Sequence, residues 1–431
     1  MTPTSTPKSS PARGRVHGTG RAVGVTAILL SMMTSSATIA DEKPTIARPS
    51  AFPPPNTSHY LAGELTMVDH VNRMGILRPD RLDDYKKNHL DLPHHFAMLP
   101  YGTVTFHGAP ATLKDVPLGT HLHGALHLGP KGEYDVALQP TDYQAQVRNQ
   151  PNAFSPESPF NQALTLEDDF SFYQRRGKRW KVLSVDREQG KLVAELVDSK
   201  SPTKSPEKVP FPEEFDLEGP QTFDINAATR IWKGLTIGRL DDIAPGQETL
   251  FNLTWATIYG PGRITDLWLD KESQAIATER QRRGYLEHLK IYGVPVLVEK
   301  VDHHDKGAGT VTAHLYAGPD EEMLSEFRAK TNGRFIVVES NLRSHDQGND
   351  AKGYRLEAIV GVDNPPPGSG GKRWTLHMSE LLEGVRPGRT ICLKAPNWSR
   401  VSIPREERLW PFDIRPQFLE RGASPKKPPS S

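Results

Sequence analysis

Short runs of alternating apolar and polar residues recur along the chain, and glycine, proline and aspartate bound them. In one such run the apolar residues Leu192, Ala194 and Leu196 occupy every second position. A two-residue period is typical of strands with one buried face. The chain also contains 38 prolines, which cannot donate a hydrogen bond within a sheet and favour short strands and loops. The pattern predicts a mainly β protein.

A first sequence element recurs three times as an apolar residue, two further residues, then Val-Asp, with a glycine shortly afterwards. Its copies are residues 65–69 with Gly75, residues 182–186 with Gly190, and residues 298–302 with Gly307. The apolar positions suit a strand, whereas Asp and Gly suit the turn that follows. We therefore interpret Asp69, Asp186 and Asp302 as turn formers and not as catalytic acids.

A second element follows each hairpin and reads Leu-x-[Asp/Gly]-[Val/Ile]-x-[Leu/Pro]-Gly. It occupies residues 113–119, 240–246 and 382–388. Its Leu and Val/Ile residues are expected to plug the end of a small barrel, and its glycine lets the chain reverse into the next strand. The variable spacing between the two elements is expected where insertions collect in surface loops. Their shared order predicts three tandem small β-barrels with short linking helices.

The second copy also carries a resemblance. The order of strands and turns around residues 229–231, residues 240–243 and Gly246 resembles the small OB-like barrel modules of exported bacterial proteins of unknown function. The resemblance is clearest over residues 180–269. It implies tandem OB-like barrels and brings no catalytic residues with it.

The repeat divides the chain into predicted domains. Residues 60–148, 175–270 and 293–420 are the three barrel modules, residues 41–59 and 149–174 are linkers, residues 271–292 are a linking helix, and residues 421–431 are a disordered tail. A second helix is predicted at residues 320–330, where Met323, Leu324 and Phe327 have helical spacing. All elements of the second copy fall within residues 175–269, so that span is predicted to fold alone.

The first 40 residues have the three-part order of a secretory signal peptide. Scattered basic residues including Lys8 and Arg21 precede an apolar stretch at residues 22–33, and small residues run to Ala40. This order predicts cleavage near Ala40 and export to the periplasm or the extracellular space. The apolar stretch is shorter than the roughly 20 residues that a membrane-spanning helix needs, so no membrane insertion is expected after cleavage.

Composition limits the functions that the chain can have. The net charge is +1, so no strong field attracts nucleic acid or an anionic membrane, and no nucleic-acid partner is expected. Cys392 is the one cysteine; it forms no intramolecular disulfide and is interpreted as a small buried strand residue. Neither Gly-x-Ser-x-Gly nor His-Glu-x-x-His occurs, and no catalytic residue is predicted. Partner and oligomeric state stay open.

The metal-ligand candidates are His121, His123 and His127 in the first module. They share parity on a predicted strand, so their rings fall on one face, and imidazoles on one face can bind zinc or copper. The His-x-His segment looks like one motif of multicopper oxidases, but the remaining motifs are missing. Alternation with leucine indicates instead the solvated face of a half-buried strand, with no metal or cofactor. The buried face is then supplied by Leu122, Leu126 and Leu128.

These observations favour a non-enzymatic, exported, multi-barrel binding or scaffold protein with an unknown ligand. One alternative is a metal-binding protein or metalloenzyme that uses the histidine-rich first module. Another is a carbohydrate-binding protein that uses exposed tryptophans, although most tryptophans are predicted to lie in barrel cores. The tryptophans on or beside predicted strands, which are the candidates for carbohydrate binding, are Trp180, Trp232, Trp255, Trp268 and Trp374.

Overall fold

The computed structural model describes residues 45–80, 94–128, 161–198, 219–255, 261–329, 335–338, 354–382 and 384–398. Of these residues 50% lie in strands and 18% in helices, so the protein is mainly β, as predicted. The strands form a closed five-stranded barrel, a half-barrel and another sheet. The predicted signal peptide and C-terminal tail lie outside the described residues.

The first sheet contains the closed barrel. Its strands are β1 (His59–Asp69), β2 (Met74–Pro79), β3 (His94–Phe106), β4 (Ala109–Ala111), β5 (His121–Leu128) and β6 (Asn161–Asp168). Their order is β2-β1-β5-β6-β3-β4, and an additional β2–β3 pairing closes the five strands other than β4. Leu65, Phe96 and Leu122 are among the buried side chains that fill the barrel.

Strand β6 corrects the prediction that residues 149–174 are a linker. Residues 161–168 pair antiparallel with β5 and parallel with β3, so they are part of the barrel. The parallel pairing of β6 with β3 requires a long connection between the two strands. A hairpin turn beside β6, which would indicate a strand in the sequence, is therefore not needed. Helix α1 (Asp169–Arg175) follows directly, and all of it except Arg175 lies in the same predicted linker.

The second sheet has the strand order β11-β10-β13-β12-β7-β8-β9. Its strands are β7 (Lys178–Asp186), β8 (Lys191–Asp198), β9 (Pro220–Asp224), β10 (Arg230–Lys233), β11 (Thr236–Ile237), β12 (Glu248–Leu253) and β13 (Ile264–Trp268). Its core includes Phe170, Phe172 and Tyr173 of α1, which lie before the predicted start of this module. The second module is therefore packed from residues on both sides of its predicted boundary.

The third sheet has the order β16-β19-β14-β15-β18-β17. Its strands are β14 (Val294–His303), β15 (Gly309–Tyr316), β16 (Ile336–Val338), β17 (Tyr354–Gly361), β18 (Ser369–Met378) and β19 (Thr390–Lys394). Cys392 lies buried within β19, as predicted.

Both predicted helices are present. Helix α2 (Lys271–Tyr292) begins after Asp270, whose carboxylate accepts from the backbone N–H of Ser273, and ends before Gly293, which has a φ of 92°. Helix α3 (Glu321–Ala329) packs Met323, Leu324 and Phe327 into the core of the third sheet.

The same pair of backbone hydrogen bonds occurs at each copy of the two sequence elements. The glycine of the second element donates to the first residue of the first element, and that residue's N–H donates to the carbonyl after the glycine. The pairs are Gly119 with Leu65 at 2.8 Å, Gly246 with Val182 at 2.7 Å and Gly388 with Val298 at 2.8 Å, and the returning bonds are each 2.9 Å. The three glycines have φ values of 87°, 86° and 80°.

Two of the three predicted turn-forming aspartates have that role. Asp69 accepts from the N–H of Asn72, and Asp186 accepts from the N–H of Gln189. Asp302 instead lies inside β14 and contacts Lys300 at 2.7 Å. The third turn is made by residues 304–308, in which the N–H of His304 donates to the carbonyl of Ala308.

Candidate functional site

His121 and His123 are buried, which corrects the prediction that they lie on a solvated strand face. They sit on one face of β5, while Leu122 and Leu126 point into the barrel core as predicted. Only 4% of His121 and 5% of His123 is exposed. The sequence does not reveal this burial, because the outer face of β5 is covered by residues that are distant from it in the sequence. These covering residues belong to α1 and to the end of β12.

A closed set of hydrogen bonds holds the two imidazoles. His121 Nδ1 lies 2.7 Å from Asp169 Oδ1, and His121 Nε2 lies 2.8 Å from Asp80 Oδ2. Because both partners are carboxylates, both ring nitrogens of His121 carry a proton and donate. His123 Nε2 lies 3.0 Å from Asp169 Oδ1.

Two further groups complete this network. The hydroxyl of Tyr60 lies 2.7 Å from His123 Nδ1, so one proton is shared along that contact. The backbone N–H of Leu253 donates to the second oxygen of Asp169 at 2.9 Å. The network therefore joins β1, β5 and the residue after β2 to α1 and β12.

The electrostatics of the network follow from burial and opposite charges. Burial by itself lowers the pKa of His121, but Asp169 and Asp80 together raise that pKa well above 6.5. Burial by itself raises the pKa of Asp169, but His121 and His123 bring it below the usual range. Burial lowers the pKa of His123, which indicates a neutral ring beside the charged His121.

Asp168, next to this network, binds a different set of donors. Its carboxylate accepts from the backbone N–H and the hydroxyl of Ser171, from the N–H of His107 and from the side-chain amide of Asn252. Burial raises the pKa of Asp168 to about 7 against the opposing effect of these donors. The Asn252 side-chain oxygen accepts from the N–H of Phe170. The beginning of α1 thus ties the barrel to the second sheet through two adjacent carboxylates.

His127, the third predicted candidate, is not part of this cluster. It is also buried, with 1% exposed, but lies four residues further along β5 and near His59. Burial lowers the pKa of His127. Within the described part of the chain, the potential metal-ligand group comprises His121, His123 and Asp169, with ligand atoms within 4.8 Å of one another.

A second candidate site is a cavity of about 500 Å³. Strands β3 and β4 of the barrel, helix α2 and the third sheet all contribute to its wall. On α2, Tyr285, His288 and Tyr292 form an aromatic row, because spacings of three and four residues share a helix face. The His288 and Tyr292 rings are stacked with their centroids 4.2 Å apart. Tyr101 and Tyr316 line the cavity as well.

Charged groups are also built into the cavity wall. Arg73 donates to the carbonyls of Leu99, Pro100 and Gly102 at 3.1, 3.0 and 2.6 Å, and burial lowers the pKa of Arg73 to about 10. Glu167 and Arg175 form a two-pronged ion pair with contacts of 3.0 Å. The wall thus combines aromatic surface with fixed polar groups.

Gly284 lies on α2 at the solvent-exposed edge of this cavity. A Cβ atom placed at this position meets no atom within 4 Å. Glycine in a helix interior costs roughly 1 kcal/mol relative to alanine. No steric constraint in the structure requires glycine here.

Sequence reasoning missed Asp80, Asp169 and Tyr60 because they lie far along the chain from the histidines. The pair Asp168-Asp169 before an aromatic run is typical of a helix start. It is the one signal in the sequence that could have pointed to Asp169. The tryptophans behave largely as predicted: Trp180, Trp268 and Trp374 are buried in cores and cannot stack on a sugar. His303 and His304 are exposed at the third turn.

No known protein family, no curated protein and no solved structure matches the chain. Among the described residues, no helix has both the length and the apolar composition needed to cross a bilayer.

Proposed function

We propose that this protein is a non-enzymatic, exported binding protein that holds a small, largely apolar organic molecule in the cavity between the barrel, α2 and the third sheet. The observation that carries this proposal is the cavity itself. Its volume of about 500 Å³ falls within the roughly 300–1,000 Å³ typical of small-molecule sites. Its lining combines apolar and aromatic side chains with polar and charged groups that can orient a ligand.

The lining indicates the shape of the ligand. The row formed by Tyr285, His288 and Tyr292 places aromatic surface along one wall, which suits a flat or ring-shaped molecule. The Glu167–Arg175 pair supplies both an acceptor and donors at fixed positions. A ligand with an apolar ring system and a polar edge fits both features.

Gly284 is a position at which this proposal can be tested. Alanine would stabilise the helix by about 1 kcal/mol, and its Cβ meets no atom within 4 Å. A large side chain at this position would occupy space at the edge of the cavity.

The module architecture and the export of the chain are part of the proposal. Three copies of one OB-like unit would account for the matching hydrogen bonds at Gly119, Gly246 and Gly388. The basic, apolar and small-residue order of residues 1–40 supports secretion with cleavage near Ala40.

The test compares Gly284→Phe with Gly284→Ala, using the fluorescent probe 1-anilinonaphthalene-8-sulfonate. We expect phenylalanine to extend over the edge of the cavity and alanine to leave most of the cavity open. We expect the wild type and Gly284→Ala to bind one probe molecule with similar affinity, and Gly284→Phe to bind at least about 10-fold more weakly, a loss of about 1.4 kcal/mol. Fluorescence titration measures the affinities.

Thermal unfolding serves as the control, since all three proteins must be folded at the assay temperature. Equal probe binding by Gly284→Phe and Gly284→Ala would place the probe elsewhere and contradict the proposed cavity. Absence of saturable binding to the wild type would contradict a ligand of this chemistry.

A further inference from the structure

Three metal-ligating atoms converge where β5 meets α1. They are Nδ1 of His121, Nε2 of His123 and Oδ1 of Asp169, and all lie within 4.8 Å of one another. The carboxylate oxygen is 2.7 Å from the first nitrogen and 3.0 Å from the second. Two imidazoles and one carboxylate are a ligand set that zinc and other divalent first-row metals accept.

The groups behind the ligands are arranged as they are around bound metals. Metal-binding histidines almost always use their second ring nitrogen to contact a carboxylate, a carbonyl or water, which fixes the ring orientation. Asp80 contacts the second nitrogen of His121 at 2.8 Å, and the Tyr60 hydroxyl contacts that of His123 at 2.7 Å. The N–H of Leu253 holds the other oxygen of Asp169. Every ligand therefore has an outer partner that orients it.

Charge also favours a cation at this position. Two carboxylates, Asp80 and Asp169, contact the two ring nitrogens of His121. A divalent ion bound beside them balances their two negative charges. A neutral cluster is favoured in a buried setting, because an unbalanced charge is costly there.

We propose that His121, His123 and Asp169 bind a divalent first-row transition-metal ion, with zinc as the representative, and that the ion links the barrel to the second sheet. Asp80 and Tyr60 act as positioning residues behind the two rings. Three protein ligands leave a fourth position for water or another small ligand. The proposal is independent of the ligand cavity, because none of the three ligand residues lines that cavity.

Binding requires an adjustment of this geometry. With zinc at about 2.0–2.1 Å from each ligand, neighbouring ligand atoms of a tetrahedron are about 3.3–3.4 Å apart. The Asp169 oxygen must therefore move about 0.6–0.7 Å away from His121 Nδ1 and about 0.3–0.4 Å away from His123 Nε2. On binding, His121 loses its Nδ1 proton, and the proton of His123 shifts to Nδ1, where it faces the Tyr60 hydroxyl. One proton is released for each zinc ion.

The test titrates zinc into the full chain after treatment with a chelator and dialysis. We expect one zinc per chain by elemental analysis, release of about one proton per zinc measured in buffers of different ionisation enthalpy, and a higher thermal midpoint. Cobalt(II) added in place of zinc should give visible absorption bands from nitrogen and oxygen ligands. These measurements on the wild type do not require a mutant to fold.

Variants then locate the ion. His123→Gln and Asp169→Asn should weaken zinc binding by at least about 100-fold, since each removes a ligand. The matched control is His127→Gln, which changes a buried histidine on the same strand outside the cluster, and it should change zinc affinity less than about 3-fold. Absence of stoichiometric zinc in the wild type, or an equal loss in His127→Gln and His123→Gln, would overturn the proposal.

Discussion

Adjacent residues at the start of α1 have different partners. Asp168 accepts from Ser171, His107 and Asn252, whereas the next residue, Asp169, contacts His121 and His123. Each carboxylate loses its water on burial, and nearby donors replace that water. Their donors come from both the barrel and the second sheet, so the last residue of β6 and the first residue of α1 help determine how the two sheets meet.

His107 provides a test of burial at the same junction. Its ring stacks on Phe106 with centroids 3.7 Å apart and meets the edge of Trp268 at 4.7 Å. Burial, with a smaller effect of Arg230, lowers the pKa of His107 to about 3. Between pH 6.5 and about 3 the unfolded chain therefore binds a proton that the folded chain does not. This histidine accordingly reduces stability as the pH falls through that window.

We expect His107→Phe to keep the ring stacking and remove that contribution. Its free energy of unfolding should fall less steeply between pH 6.5 and 4, with a difference of up to about 1.4 kcal/mol per pH unit. Urea unfolding at several pH values measures the slope. The same substitution at exposed His303 is the control, and parallel curves for His107→Phe and the wild type would contradict the prediction.

At the scale of elements, one kind of turn ends each second sequence element. Gly119, Gly246 and Gly388 have φ values between 80° and 87°, and their N–H groups donate to carbonyls in β1, β7 and β14 respectively. Residues other than glycine rarely adopt such a φ without strain. Glycine at this position therefore lets the chain adopt the turn and form the two backbone hydrogen bonds without strain.

Gly246 is the position that isolates this backbone strain, because a Cβ atom there meets nothing within 4 Å. We expect Gly246→Val to lower the free energy of unfolding by about 1–3 kcal/mol through the forced positive φ alone. Urea unfolding followed by tryptophan fluorescence measures the change. Gly284→Ala, in a helix with equal space, should instead raise stability by about 1 kcal/mol. Unchanged stability of Gly246→Val would show that the turn relaxes without cost.

Across the whole molecule, packing connects sheets that the sequence presents as separate modules. The core of the second sheet takes Phe170, Phe172 and Tyr173 from α1, which directly continues the barrel strand β6. A smaller core joins Leu99 and Tyr101 of the barrel to Leu297 and Tyr316 of the third sheet. The sheets are therefore not independent units on flexible linkers.

This packing changes what we expect of an isolated second module. A fragment of residues 175–269 lacks three aromatic side chains of its core and the carboxylates at the start of α1. We expect poor dispersion of its amide NMR signals, since removing large buried side chains costs about 3–5 kcal/mol each. A fragment of residues 45–269 retains these groups and should give a dispersed spectrum. A well-dispersed spectrum from the shorter fragment would contradict this expectation.

The sequence by itself determined the features that depend on neighbouring residues. The strand alternation, the turns with Gly119, Gly246 and Gly388, and helices α2 and α3 all follow from local patterns of side-chain size, polarity and backbone freedom. The burial of Leu122 and Leu126 on one face of β5 was predictable for the same reason.

Only the tertiary structure decided which distant residues meet. The partners of His121 lie 41 and 48 residues away along the chain. Strand β6 pairs in parallel with β3 in the barrel, and no adjacent turn in the sequence indicates this pairing. The cavity exists only where the barrel, α2 and the third sheet come together. A period of two in β5 separates its two faces, but it does not say what covers each face. Coverage depends on packing between elements far apart in the chain, and that packing turned a predicted solvated face into a buried cluster of charged groups.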